Sequence, residues 1–236
     1  MCGQVSVSTN QRTEAVSLQH GVKLIQAFST RLLQKNAPTE RVRLPGDVLA
    51  GGKPAIEQYI KENYGTGKLE SRNLRAQSYV EKNYDILLLE GFKTAAPQAV
   101  LDKWAPIVLE DLRSQGLLRP APLELVEVKG LNGINLDSTD LSGFKFTRVA
   151  APNATFWRTR AISETTIDGG VFNGIEVSFA DWVGVKFIND VNVRDSYFRE
   201  VFITKEGTSG GDFGCATGVS DGGMRFVKPQ PETIRQ

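Results

Sequence analysis

Residues 131–156 read LNGINLDSTDLSGFKFTRVAAPNATF. Every fifth place in that stretch is apolar: Leu131, Leu136, Leu141, Phe146, Ala151 and Phe156. The beat continues through Ile162, Ile167, Phe172, Val177, Trp182 and Phe187, then Val193, Phe198 and Ile203, fifteen positions in all, slipping by one residue after Phe156 and again after Phe187. A period of five matches neither the roughly 3.6 of a helix nor the 2.0 of a flat strand. It matches a chain that turns a corner every five residues and sends one side chain inward from each straight segment, a coiled solenoid of the β-helix kind. An ordinary β-sandwich alternates by two, with turn signals about every 8–12 residues, and does not produce such a run.

The position two residues before each centre supports this. It holds Ile134, Val149, Ala154, Gly170, Ile175, Ala180, Val185, Val191 and Val201, mostly small or aliphatic. Asn135, Asp137, Ser142, Lys145, Thr147, Arg158, Asp181, Lys186 and Asp195 fall between and are expected to face water. Local bulges are expected near residues 157–161 and 188–192, where the rhythm slips.

Segments such as Ile134-Asn135-Leu136-Asp137-Ser138, Thr139-Asp140-Leu141-Ser142-Gly143 and Ala180-Asp181-Trp182-Val183-Gly184 resemble the pentapeptide-repeat family, whose repeat reads roughly A(D/N)LXX. The resemblance covers about a third of the chain. It implies a right-handed quadrilateral β-helix, built here from degenerate repeats. Phe144 and Ile134 are larger than the family prefers, Trp182 is bulky for a centre, and Arg160 occupies an inward place.

The N-terminal part reads as helical, which makes the fold class α+β. Residues 1–11 are polar and expected to be disordered. A helix is expected from Arg12 to Gln34, with Leu18, Val22, Ile25 and Leu32 on one stripe. A short helix begins near Pro54 and stops at Gly65, with Ile56, Tyr59 and Ile60 on one face. A third runs over Ser71–Glu90 and uses Ala76, Val80, Tyr84, Leu87 and Leu88. A fourth runs from Pro97 to Gln115 and ends at Gly116, with Val100, Trp104, Ile107 or Val108, and Leu112 as its stripe and Pro106 kinking or splitting it. The domains expected are thus a helical part over 12–120, a β-helix over 121–206 and a glycine-rich tail over 207–236. The end coils of a solenoid need covering. Because the helix ending at Gly116 lies next to the first coil in sequence, the helical part is the expected cover at one end, and the glycine-rich tail over 207–236 at the other.

The chain of 236 residues is 40% hydrophobic with a net charge of +1. Residues 125–206 carry 9 basic and 11 acidic side chains, so the repeats form a near-neutral surface with no call for nucleic acid. No stretch approaches the ~20 apolar residues of a membrane span, and no Sec signal pattern opens the sequence. Cys2 and Cys215 make no disulfide framework, and with His20 as the sole histidine they suggest no metal site and no cofactor. Gly65-Thr66-Gly67-Lys68 lacks the earlier glycine and the following Ser or Thr of a phosphate loop. Cys215, in Asp212-Phe213-Gly214-Cys215-Ala216, is a thiol with no evident base, so no catalytic residue is assigned. Trp157, Arg158, Arg160 and Lys186 are the expected binding residues, because Trp and Arg dominate interface hot spots.

Three functions compete. The first is a non-enzymatic protein that docks a protein partner through the β-helix flank and the helical domain. The second is a DNA mimic protecting a topoisomerase, a role found in the resembled family. It wants a strongly acidic rod, which this chain lacks. The third is a transferase- or ligase-type enzyme using Cys215. A polar N-terminus, a globular part and then repeats is an order that resembles bacterial type III secreted effectors. That resemblance implies a bacterial cytoplasmic origin followed by secretion into a host cell, and a role in virulence.

Overall fold

The structure is a computed structural model and describes residues 40–84, 97–219 and 223–227. The helix expected over Arg12–Gln34, the polar segment 1–11, and Leu87 and Leu88 lie outside the described residues. Two compact units are present. One contains the described residues of 70–119, and the other combines 38–69 with the chain from Pro120 onward.

The second unit is a β-solenoid of about five turns. Its described strands are β1 (Val42–Arg43), β2 (Leu123–Val126), β3 (Lys145–Ala150), β4 (Thr155–Trp157), β5 (Thr165–Val171), β6 (Glu176–Ser178), β7 (Asp181–Trp182), β8 (Val185–Ile188), β9 (Val191–Asn192), β10 (Tyr197–Arg199), β11 (Val201–Thr204), β12 (Gly211–Asp212) and β13 (Met224–Val227). Every pairing among them is parallel. The register repeats after twenty or twenty-one residues through the body, as in Phe146 beside Ile167 and Ile167 beside Phe187. It stretches to twenty-three at the last pairing, Val201 beside Met224. β1, β2, β3, β5, β8, β9 and β12 form one sheet, β4, β6 and β10 a second, and β7, β11 and β13 a third.

Fourteen of the fifteen periodic residues are buried; Ile162 is the exception, 43% exposed. Ala161 is buried in its place. The first slip therefore comes one step later than the hydrophobic pattern suggests: the extra residue lies among 162–164, where Glu164 has a positive φ of 31°. The second lies where expected, with Asn189 and Asp190 both left-handed at φ 57° and 54°. Two residues after most centres the chain turns through a left-handed residue, as at Ser138, Arg148, Asn153, Arg158, Phe179, Asp195 and Glu200. That conformation costs roughly 1–2 kcal/mol for a residue with a Cβ. A backbone hydrogen bond to the next coil offsets it: Arg158 N–H donates to Ser178 O at 2.9 Å and Phe179 N–H to Arg199 O at 2.8 Å. At Gly170 the demand goes further, since φ is 102° and a Cβ would sit 2.4 Å from Val149 O.

The core is a column of rings. Phe146 meets Phe172 edge-on at 6.0 Å, Phe156 meets Trp182 at 5.2 Å, and Phe187 meets Phe213 at 5.5 Å. Trp182 lies between Ala161 of the preceding coil, in register with Arg160 beside Asp181, and Ile203 of the following one. Its Nε1–H donates to Thr159 Oγ1 at 2.9 Å. Phe144 and Ile134 are buried as well.

The N-terminal cover comes from residues 42–64. β1 pairs with β2 and extends the large sheet. After α1 (Gly46–Ala50), α2 (Gly52–Tyr64) turns Ile56, Ile60 and Tyr64 into the solenoid core, where Leu44 joins them. Tyr64 meets Phe144 edge-on at 4.8 Å, and its hydroxyl donates to Ala121 O at 2.5 Å. Arg41 Nε donates to Gly143 O at 2.7 Å. The residues that enter the core at this end thus lie between Leu44 and Tyr64. At the other end the glycine-rich stretch is itself part of the coil: β12 pairs with β9 and β13 with β11.

In the other unit, α3 (Thr66–Asn83), which begins in the solenoid unit, packs from Glu70 onward with α4 (Pro97–Ser114). Ala76, Val80, Val108, Leu109, Leu112 and Leu117 form the core, while Ile107 is exposed. Pro106 does not split α4. Gly116, at φ 64°, ends it: Leu117 N–H donates to Leu112 O and Gly116 N–H to Arg113 O, a Schellman stop. Tyr79 and Tyr84 both donate to Asp111 Oδ2, at 3.0 and 2.6 Å. No described helix is long and apolar enough to cross a membrane.

Candidate functional site

Strand alternation decides what the solenoid shows to solvent. In β4, Phe156 points inward, so Trp157 points outward and is 40% exposed. Its N–H is held by Asp137 Oδ1 of the preceding coil at 2.8 Å. Arg158 follows at the corner, and its guanidinium lies over the Trp157 ring, 4.2 Å from the centroid. The register carries this corner through the stack. Ser178 stands beside Trp157, and Arg199 beside Ser178. Phe179, the next corner residue, is 43% exposed and lies under the Arg199 guanidinium at 5.0 Å. Around the corner, Arg160 stands beside Asp181, Asp181 beside Phe202, and Phe202 beside Arg225. Phe202 is 40% exposed and lies under the Arg225 guanidinium at 5.7 Å. Tyr197, 44% exposed, completes the aromatic set from β10.

Three ring–guanidinium stacks therefore run along one edge of the solenoid over successive coils. Each is worth about 0.5–1 kcal/mol at an exposed site. The stack restrains each arginine and leaves its N–H rim open in the plane of the guanidinium. Among the described residues, no carboxylate lies within ion-pair distance of Arg158, Arg160, Arg199 or Arg225. Elsewhere on the solenoid, arginines are paired across coils: Arg148 with Glu127 at 2.6 Å and Arg194 with Asp212 at 3.4 Å. The edge also carries Glu176, Asp181 and Glu200, so its charge is mixed.

Of the four expected binding residues, Trp157, Arg158 and Arg160 come together here. Lys186 does not: it lies on β8 in the large sheet, in register with Thr166. Phe179, Tyr197, Arg199, Phe202 and Arg225 escape a reading that takes only local sequence. A step of twenty-one residues from Trp157 and Arg158 reaches Ser178 and Phe179, and a second step reaches Arg199, so the coil length is the signal that finds most of them.

Other chemistry is sparse. Cys215 is an exposed corner residue at φ 57°, and no described residue hydrogen-bonds its thiol. No cluster of His, Cys, Asp and Glu among the described residues could hold a metal ion. Thr66 N–H, in the glycine-lysine segment, already donates to Ser138 O at 2.8 Å. Searches of protein families, characterised proteins and solved structures return no match to this chain.

Proposed function

We propose that this protein is a non-enzymatic docking protein of the pentapeptide-repeat class, and that it binds a protein partner along the edge carrying Trp157, Phe179 and Phe202. The observation that carries this reading is the run of exposed rings under guanidiniums on successive coils. Aromatic and arginine residues are the types enriched at protein interfaces, and a rigid solenoid holds them in place without an ordering cost on binding. Four arginines on the edge also have the wrong sign for a DNA mimic, which must copy phosphate charge. Delivery as a bacterial effector, with the edge meeting a host protein, is the further part of the proposal and rests on the resembled order of a globular part before repeats.

The test is partner capture from bacterial and host lysates by the full chain, by Trp157→Ala/Phe179→Ala, and by Lys186→Ala. A protein retained by the parent and by Lys186→Ala but lost by the double variant supports the reading. A protein retained equally by all three moves the docking surface off this edge. A reporter fusion that a type III-competent strain fails to export removes the effector part.

A further inference from the structure

Resting on the docking edge just described, we propose that its partner is an acidic protein segment whose carboxylates are gripped by the guanidiniums of Arg158 and Arg199. The fold pairs its other coil-edge arginines internally, Arg148 with Glu127 and Arg194 with Asp212. Along the docking edge it lays Arg158 and Arg199 on rings instead. A guanidinium stacked on a ring has lost much of its rotamer freedom and keeps its in-plane N–H fork. That fork matches the two oxygens of a carboxylate. Arg158 and Arg199 spring from corners and strands two coils apart. At the usual strand spacing that is about 10 Å, the separation of side chains three residues apart in a polyproline-II segment or seven apart in a helix.

The same edge argues for a peptide over a nucleic acid. Glu176, Asp181 and Glu200 stand among the arginines and would repel an unbroken line of phosphates. A protein segment can place neutral or basic residues opposite those carboxylates and acidic ones opposite Arg158 and Arg199. Trp157 and Phe179 then give it apolar surface between the charges.

The experiment titrates the full chain with a labelled peptide of repeated Glu-Gly-Ser triplets, its Gln-Gly-Ser counterpart, and a single-stranded oligothymidylate, followed by fluorescence anisotropy. The Glu peptide should bind about tenfold more tightly than the Gln peptide, as expected for losing two charge-assisted contacts at an exposed site. Arg158→Gln/Arg199→Gln should abolish that difference, and Arg148→Gln/Arg194→Gln should preserve it. Equal or absent binding of the two peptides overturns the acidic partner. So does tighter binding of the oligothymidylate through Arg158 and Arg199, which would make the edge a nucleic-acid surface. A lysate partner that still depends on Trp157 and Phe179 in either case leaves the docking surface standing and removes only its acidic preference.

Discussion

Trp182 concentrates the residue-level physics of this solenoid. It is 1% exposed, meets Phe156 edge-on, and donates its only polar hydrogen to Thr159 Oγ1. Trp182→Ala should cost about 3–5 kcal/mol, the usual range for emptying a site of that size. Thr159→Val should cost about 1–3 kcal/mol by leaving the buried indole N–H without an acceptor. Denaturant midpoints check both, and a Thr159→Val protein as stable as the parent would show that the hydrogen bond contributes little. Cys215→Ala should leave stability within about 0.5 kcal/mol and partner capture intact, because the thiol is exposed and unbonded. Trp182 also shows where the inward place departs from the hydrophobic pattern. Hydrophobicity favours Ile162 over Ala161, but the register of the coils seats Ala161 beside Trp182 and turns Ile162 to solvent. That constraint comes from a neighbour twenty-one places away and leaves no local mark. Trp157 was legible as an outward ring beside cations. Phe179 and Arg199 were not, because their adjacency depends on the coil length.

At the scale of elements, the stops at Gly65 and Gly116 and the apolar faces of α2 and α4 follow from local sequence. The cover of the first coil does not. It depends on β1 pairing with β2 across some eighty residues, a pairing that no local signal announces. The pair α3 and α4 has its own tie, Asp111 accepting from Tyr79 and Tyr84. Burial, with the Asp111 carboxylate adding to it, pushes the Tyr84 phenol up to about 12, and the hydrogen bond to Asp111 raises Tyr79. A folded-state value above the unfolded 10 means that the stabilisation is complete below pH 10 and is lost as pH rises towards 12. The helical unit should therefore loosen in that window, with tyrosinate absorbance and helical circular dichroism changing together. In Tyr84→Phe the unit should be weaker at neutral pH, and its remaining alkaline transition should be shallower. A variant with the parent's alkaline profile would remove Tyr84 from the tie.

At the scale of the whole solenoid, each coil touches only its neighbours, so stability is a chain of nearest-neighbour terms with two vulnerable ends. The first end is protected by Ile56, Ile60 and Tyr64, all within 1% of complete burial. Ile56→Asp/Ile60→Asp places two carboxylates where the core has no partner for them, and α2 should leave its seat. That uncovers Leu123, Leu125 and Phe144 together with the backbone edge of the first coil, a template for pairing with another chain. Two consequences separate this account from simple global unfolding. Sedimentation should show concentration-dependent association, and hydrogen exchange should lose protection first over 123–150 while 176–204 keeps theirs. Simultaneous loss of protection in both stretches would mean that the coils fold as one cooperative block. The cover at α2 would then be part of the folding unit itself, because a defect at one end would be felt at the other without passing through the coils between.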